Sequence, residues 1–264
     1  MCDHEGSLAV HAAGTLPTRV AGWCSAAAVL FFCMGESAQA RCGDPPKAGV
    51  NWVDCSKAML VLDGRDLTGG DFSHARLSSS TLTGARLNNA KLVATELSLA
   101  KLDGADLSGA NLEKAAGLKA SFQGANMTGA RLISAEFSRA NFAQAVMTGA
   151  NLAKSDVMRS NFSGTELTGA DLSKAELARV VLAGAKMANA NLSYSNLARA
   201  DLRDLKLEGV DFTGAYLFLT NLGGADLSRT KGLTTDQLRL ACGTNETKLP
   251  PGVASPERWR CEDD

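Results

Sequence analysis

A five-residue period runs through the middle of the chain and restricts its fold more than any other feature. Every fifth residue from Leu62 to Leu227 gives 34 positions, which hold 23 Leu, six Phe, three Met, one Val and one Gly. Two residues before these centres, from Arg65 to Ala225, 21 of 33 positions are Ala, and most of the others are Ser or Thr. A period of five matches neither an α-helix nor a strand. It predicts a chain that turns a corner every five residues, with the large and the small residue pointing inward.

Residues 20 positions apart form a second, longer pattern. Two residues after the centres, Gly occupies 7 of 9 positions in the column from 64 to 224, and 6 of 9 in the column from 69 to 229. The columns from 74 to 214 and from 79 to 219 hold one Gly between them. This segregation predicts four units per coil, and left-handed backbone at only two of the four corners. With a strand spacing of about 4.8 Å, about 8.5 coils would stack to about 40 Å.

The five-residue units, among them ADLSG at 105–109 and ANMTG at 125–129, resemble the pentapeptide-repeat family, whose unit is written A(D/N)LXX. The resemblance covers about 170 residues, and 33 of the 34 centres obey it. It implies an all-β fold, namely a right-handed quadrilateral β-helix of about 8 coils. Gly117 departs from the pattern, and we expect a local dent or bulge where it replaces a large inward side chain.

Both ends of such a solenoid need a cover, because end coils expose apolar side chains and unpaired backbone. We expect an N-terminal cap over residues 41–60, the repeat over 61–230 and a C-terminal cap over 231–264. Thr234 and Gln237 have capping-box spacing, which predicts a short capping helix from Thr235 to about Ala241. Trp52 would cover the first coil. Leu238 and Trp259 would cover the last.

Residues 20–35 form an apolar run without a charge, followed by the small-x-small pattern of residues 38–40. The run is short for a membrane-spanning helix, which needs about 20 apolar residues. It predicts a signal peptide over residues 1–40 that is cleaved between Ala40 and Arg41, leaving no stable membrane insertion and a periplasmic or secreted chain. An uncleaved anchor and a cytoplasmic leader stay open, because Asp3 and Glu5 stand where basic residues are usual.

Cysteine spacing is consistent with export. Removal of residues 1–40 leaves four cysteines, in two local pairs that flank a cysteine-free middle. The disulfides Cys42–Cys55 and Cys242–Cys261 are predicted because they close the shortest loops, although three pairings are possible in principle.

Few residues in the sequence are of a kind that could take part in catalysis or bind a metal or nucleotide. After signal removal His74 is the one remaining histidine, and no phosphate-binding loop, dinucleotide fingerprint or metal spacing occurs. We therefore expect no enzyme activity, no cofactor and no metal.

The outward positions carry one ordered feature, a basic row on successive coils that consists of Lys119, Arg139, Arg159, Arg179 and Arg199. An acidic column of Glu136, Asp156 and Glu176 lies on the same side, flanked by Lys154 and Lys174. The stripes could compensate each other. Alternatively, the row could bind an anionic partner, or the acidic column a cation. Five exposed apolar residues also lie on this side: Leu118, Met158, Tyr216, Phe218 and Leu219. The last three lie at the C-terminal end, where the cap helix could cover them; alternatively, the apolar residues form a dimer or partner patch.

These observations favour an exported, non-enzymatic structural or protein-interaction rod, whose partner is an unknown protein or an anionic envelope component; a homodimer is a further alternative. Some pentapeptide-repeat proteins mimic DNA and protect gyrase in the cytoplasm, which is the alternative function. That function requires an acidic rod, whereas residues 61–230 contain 17 acidic and 18 basic residues. The net charge of -1 also argues against nucleic-acid binding.

Overall fold

The computed structural model describes residues 41–261. The predicted signal peptide, including Ala40, lies outside the described residues. From Asn51 onward, isolated parallel β-bridges join residues 20 positions apart, and nine of them follow one another from Asn51 to Lys231. Three further lines of bridges begin at Ser56, Val61 and Asp66, so each five-residue unit contributes one bridge residue per coil. The 20-residue coil predicted from the sequence is therefore the repeating element of the fold.

The core consists of the two residue types that the period places inward. Residues at the centre positions, such as Leu152 and Phe142, are fully buried, and the Ala residues two positions before them are buried as well. Each large apolar side chain buried in this way stabilises the fold by about 1.5–3 kcal/mol. The predicted inward register is confirmed.

Each regular unit satisfies its backbone donors in a fixed way. In the unit Ala125–Gly129, four of the five N–H groups donate to backbone carbonyls at 2.7–3.0 Å. The fifth, of Thr128, donates to Oδ1 of Asn126 at 3.2 Å. The same bond recurs from Ser163 to Asn161 and from Ser173 to Asp171. Asp or Asn is thus preferred at the bridge position because its side chain accepts a hydrogen bond from the one N–H group of the unit that has no backbone carbonyl as a partner.

The prediction that only two corners of the coil are left-handed is wrong. The residue two positions after the centre has a φ near +60° in all four columns, including Lys154 and Arg159, each with a φ of about +60°. A left-handed conformation costs a residue other than Gly about 1–2 kcal/mol. The backbone N–H of this corner residue offsets the cost by donating to a backbone carbonyl of the next coil, which we call a ladder bond. Arg159, for example, donates to the Ala178 carbonyl at 2.9 Å.

The expected dent at Gly117 is also absent. Gly117 keeps its ladder bond to the Glu136 carbonyl at 2.8 Å, so the coil is regular there. The ring of Phe137, one coil further, fills the space, and a Cβ on Gly117 would come within 2.3 Å of it. The missing side chain is therefore replaced by a larger one from the neighbouring coil.

The coils begin ten residues before the predicted boundary at residue 61. Trp52 and Cys55 occupy a large and a small inward position, and both are buried. The Trp52 indole N–H donates to the Asp44 carbonyl at 3.1 Å, and the disulfide Cys42–Cys55 attaches the preceding segment to this coil.

The helix α1 spans Thr235–Leu238, which is shorter than the predicted Thr235–Ala241. Its capping box is present as expected, with Thr234 as the N-cap and Gln237 as its partner. The helix ends early because Leu240 accepts a ladder bond from Leu219 N–H at 2.7 Å and Cys242 continues a line of bridges. No helix within residues 41–261 is long and apolar enough to cross a membrane.

The second disulfide is Cys242–Cys261, so both pairs agree with those expected from the sequence. It holds the final segment beside the last coil. There the Arg260 guanidinium lies 5.1 Å from the Phe218 ring centre, and Trp259 packs on the backbone of Gly243.

The ladder is interrupted once in the repeat. Between residues 41 and 261, the line that begins at Asp66 lacks the bridge from Lys186 to Lys206, and Met187 N–H makes no ladder bond to the Lys206 carbonyl. Leu205 stands here at an inward position that usually holds Ala. Its bulk separates the two coils and leaves a cleft of about 350 Å³ along residues 184–188 and 204–208.

Candidate interaction surface

The structure places all five members of the basic row at one corner, on five consecutive coils. Each is the left-handed corner residue of its unit, and each is exposed. Ladder bonds fix their register, since Arg139 N–H donates to the carbonyl of residue 158 and Arg159 N–H to that of residue 178, at 2.8 and 2.9 Å. At about 4.8 Å per coil, the row is about 20 Å long.

Elsewhere on the surface, charges of opposite sign are stacked on neighbouring coils. Arg86 pairs with Asp66 at 2.7 Å and Lys91 with Asp71 at 3.5 Å. Lys186 pairs with Glu166 and Lys248 with Asp226 in the same manner. These four ion pairs therefore join opposite charges on neighbouring coils.

The basic row departs from that arrangement. Within residues 41–261, Lys119, Arg139, Arg159 and Arg179 form no ion pair, although the acidic column lies on the same side. The acidic residues have other partners. Asp156 accepts from Ser138 Oγ at 2.9 Å, and Glu176 accepts from Asn196 Nδ2 at 2.7 Å. The two stripes thus do not neutralise each other by direct contact.

The acidic column does not form a cluster of metal ligands. Among the described residues, no group of three His, Cys, Asp or Glu side chains is placed to hold a metal ion. The acidic column therefore lines one flank of the basic row without forming a site of its own.

The other flank of the basic row carries no charge beside its first four members, Lys119 to Arg179. Across the corner, the bridge positions hold Ser121, Asn141 and Asn161, and the column at 123, 143 and 163 holds Gln, Ala and Ser. At its C-terminal end the row reaches a cleft of about 320 Å³, lined by residues that include Arg179, Arg199, Asp201 and Leu219. Sequence reasoning found the row but neither this cleft nor the difference between the two flanks, because both depend on which columns meet at a corner.

The apolar residues predicted on this side have different environments. Leu118 and Tyr216 are each 49% exposed, whereas Met158, Phe218 and Leu219 are partly buried. Phe218 stacks on Tyr216, with ring centres 6.1 Å apart, and lies beneath Arg260. The apolar end of this side is therefore partly covered by the C-terminal segment.

One of the stacked ion pairs has a marked effect on titration. The hydrogen bond from Arg86, together with bonds from Thr68, lowers the pKa of Asp66 to about 2. Asp66 therefore stays ionised well below neutral pH, which is the usual consequence of a cation and donors around a carboxylate.

Comparisons with known proteins identify the family. The family model for pentapeptide repeats matches with eight copies, over residues 61–92, 95–132, 125–164, 165–204 and 195–231, which is more than half of the chain. No match was found among curated proteins.

Solved pentapeptide-repeat structures are similar to this chain. HetL, involved in heterocyst differentiation regulation in the cyanobacterium Nostoc, is 27% identical with a TM-score of 0.57, over 79% of this chain and 90% of HetL. Trypsin-treated QnrB1, a plasmid-mediated fluoroquinolone resistance protein, is 20% identical with a TM-score of 0.49, over 70% and 90%. The family and HetL together imply a right-handed β-helix. With its five-residue register and 20-residue coils, the chain belongs to the pentapeptide-repeat family.

Proposed function

We propose that this protein is an exported, non-enzymatic rod that binds an anionic partner through the basic row. One observation carries the proposal: five exposed cations occupy the same corner on consecutive coils, and among residues 41–261 the first four form no ion pair, whereas residues such as Asp66 and Arg86 pair with the opposite charge one coil away. Like charges one coil apart repel each other, and an anionic partner would relieve that repulsion.

We further propose a quadrilateral cross-section and a C-terminal cap. Four bridges and four left-handed corners per 20 residues support four flat sides. Leu238 of α1 is fully buried, and the Gln237 side chain donates to the carbonyls of Phe212 and Ala215 at 2.8 and 2.9 Å. These contacts support a role for α1 in covering the last coil.

The absence of catalysis is a further part of the proposal. His74 is an exposed corner residue, and the inward hydroxyls donate to backbone carbonyls, as Ser160 does to Phe137 at 2.8 Å. Pentapeptide-repeat proteins are generally structural or interaction proteins.

Export is supported by the two terminal disulfides and by the apolar segment of residues 20–35. Disulfides persist mainly in oxidising compartments such as the periplasm.

The test combines fractionation with charge reversal. Cells that produce the untagged chain are fractionated, and the recovered protein is expected outside the cytoplasm, to begin at Arg41 and to be four mass units light for two disulfides. Envelope material is then offered to the protein, to Arg159→Glu/Arg179→Glu and to Lys154→Glu/Lys174→Glu. The second pair is a matched control, because it changes the same charge at exposed corners of the same backbone type.

We expect binding to be lost for the arginine pair and kept for the lysine pair, with all three proteins equally stable. Equal binding by all three would remove the basic row from the function, and a reduced, uncleaved cytoplasmic chain would refute export.

A further inference from the structure

The spacing of the basic row sets a condition on its partner. Successive members are one coil apart, and their ladder bonds do not allow the backbone register to slip. The row therefore presents one positive charge about every 4.8 Å over four intervals. A linear partner that engages all five cations must repeat its negative charges at nearly the same distance.

Among regular protein structures, an α-helix comes closest to that distance. Side chains at i, i+3/i+4 and i+7 share one face and recur about every 5.3 Å along the axis. On an extended strand, side chains of one face recur about every 6.8 Å. Over the row the mismatch amounts to about 2 Å for the helix and about 8 Å for the strand. Lysine and arginine side chains can absorb the first mismatch but not the second.

The two flanks of the row disfavour a broad anionic surface. Glu136 and Glu176 are exposed beside the row, so a lipid headgroup plane would bring negative charge against them. A helix of about 10 Å diameter can confine its carboxylates to the row and lie over the neutral flank formed by Asn141 and Asn161. The arrangement of charges thus selects a narrow partner over a planar one.

We propose that the basic row docks an α-helix of a partner protein that carries Asp or Glu at i, i+3/i+4, i+7, i+11 and i+14. This inference rests on the proposed function, because it specifies the anionic partner of the same surface. The helix axis would run along the rod, and its acidic stripe would face the corner from Lys119 to Arg199.

The test uses two synthetic helical peptides of about 18 residues with identical composition. One carries five Glu residues as a single stripe, and its isomer distributes them around the helix. Fluorescence anisotropy measures the binding of each peptide to the purified protein at low ionic strength. We expect the stripe peptide to bind at least about tenfold more tightly, and Arg159→Glu/Arg179→Glu to abolish that difference, whereas Lys154→Glu/Lys174→Glu retains it.

Other outcomes separate the two proposals. If both peptides bind equally, or if an extended polyglutamate or a phosphatidylglycerol vesicle binds more tightly than the stripe peptide, the helix inference is overturned while the basic row remains an anion-binding surface. If the arginine pair changes the binding of none of these probes, both proposals fail. Circular dichroism and thermal melting of each variant show whether its fold is intact.

Discussion

At the scale of single residues, each position of the five-residue unit has its own physical requirement. The centre fills the core, and the small inward residue leaves room for it. Where Ser or Thr replaces that Ala, its hydroxyl donates to a backbone carbonyl. The acceptor is in the preceding coil, as for Thr95 and Phe72 at 2.7 Å, or three residues earlier, as for Ser155 and Leu152 at 2.7 Å. An Asp or Asn at the bridge position accepts a hydrogen bond from the N–H two residues later, which has no backbone carbonyl as a partner. The buried hydroxyls at the small inward position are tolerated because each of them has a backbone carbonyl as its partner.

The Asp66–Arg86 pair predicts a pH-dependent stability. The pKa of Asp66 is lowered to about 2, below the value of about 3.9 expected in the unfolded chain. A lowered pKa stabilises the folded state above the unfolded value, and this contribution is lost as the pH falls towards 2. We expect Asp66→Asn to have a lower Tm than the parent protein at pH 7, and the difference to disappear near pH 2. Thermal melting at pH 7, 4 and 2 measures it.

The control for this prediction is Asp106→Asn, which removes the same charge from the same line of bridges without breaking an ion pair. Because Asp66 and Arg86 are well exposed, high salt should reduce the effect of Asp66→Asn at pH 7. A Tm difference that stays constant from pH 7 to pH 2 would show that the pair is not its cause.

Sequence reasoning succeeded where a residue's role depends on its own unit. The inward position of Leu152 follows directly from the period. It failed at Arg159, because a left-handed arginine is costly in isolation and only the ladder bond to the next coil makes it acceptable. It failed at Gly117 for a related reason, since the residue that fills the space, Phe137, belongs to another coil.

At the scale of the elements, the interrupted ladder beside Leu205 is the weakest junction between coils in the repeat. The facing residues Ala185 and Leu205 are 6% and 3% exposed, whereas most inward residues are at most 1% exposed. The core is therefore slightly more accessible to solvent at this junction. Lys186 and Lys206 also face each other across this junction. Elsewhere on the same line of bridges, residues of opposite charge face each other on neighbouring coils, as Asp66 and Arg86 do.

Hydrogen exchange should detect this junction. We expect the amides of Met187 and Lys206 to have lower protection factors than those of Met147 and Glu166, which make the equivalent ladder bonds at 2.8 and 3.0 Å. Leu205→Ala should allow the ladder to close and raise protection at Met187 and Lys206 by up to about tenfold, which corresponds to one restored hydrogen bond.

Met147 and Glu166 serve as internal references in the same protein, since Leu205→Ala should leave their exchange unchanged. Strong protection of Met187 and Lys206 in the parent protein would mean that the coils close here in solution. No gain in the variant would mean that Leu205 is not what holds them apart.

At the scale of the whole molecule, the candidate surface was only partly accessible from the sequence. The basic row recurs every 20 residues, so it could be recognised once the coil length was known. The sequence could not show that Arg139 and Arg159 form no ion pair within residues 41–261, because Asp156 and Glu176 lie close enough in sequence to suggest compensation. Only the observed partners of those carboxylates, Ser138 and Asn196, separate the two possibilities.

The stacking of coils also predicts how a local change spreads along the rod. In a solenoid each coil contacts only its neighbours, so stability is approximately a sum of local terms. The disulfide Cys242–Cys261 spans 19 residues beside the last coil, and closing a loop of this size contributes about 3 kcal/mol. Its removal by Cys242→Ser/Cys261→Ser should therefore loosen the C-terminal coils and leave the middle of the rod intact.

Hydrogen exchange measures this directly. The amides of Leu219 and Leu222, which donate to the Leu240 and Cys242 carbonyls, should lose protection in that variant. The amides of Leu132 and Leu152 should not. The matched variant Cys42→Ser/Cys55→Ser should instead affect Trp52 at the other end. A uniform loss of protection along the chain in either variant would mean that the rod unfolds as one cooperative unit, because the coils would then be coupled over distances well beyond their nearest neighbours.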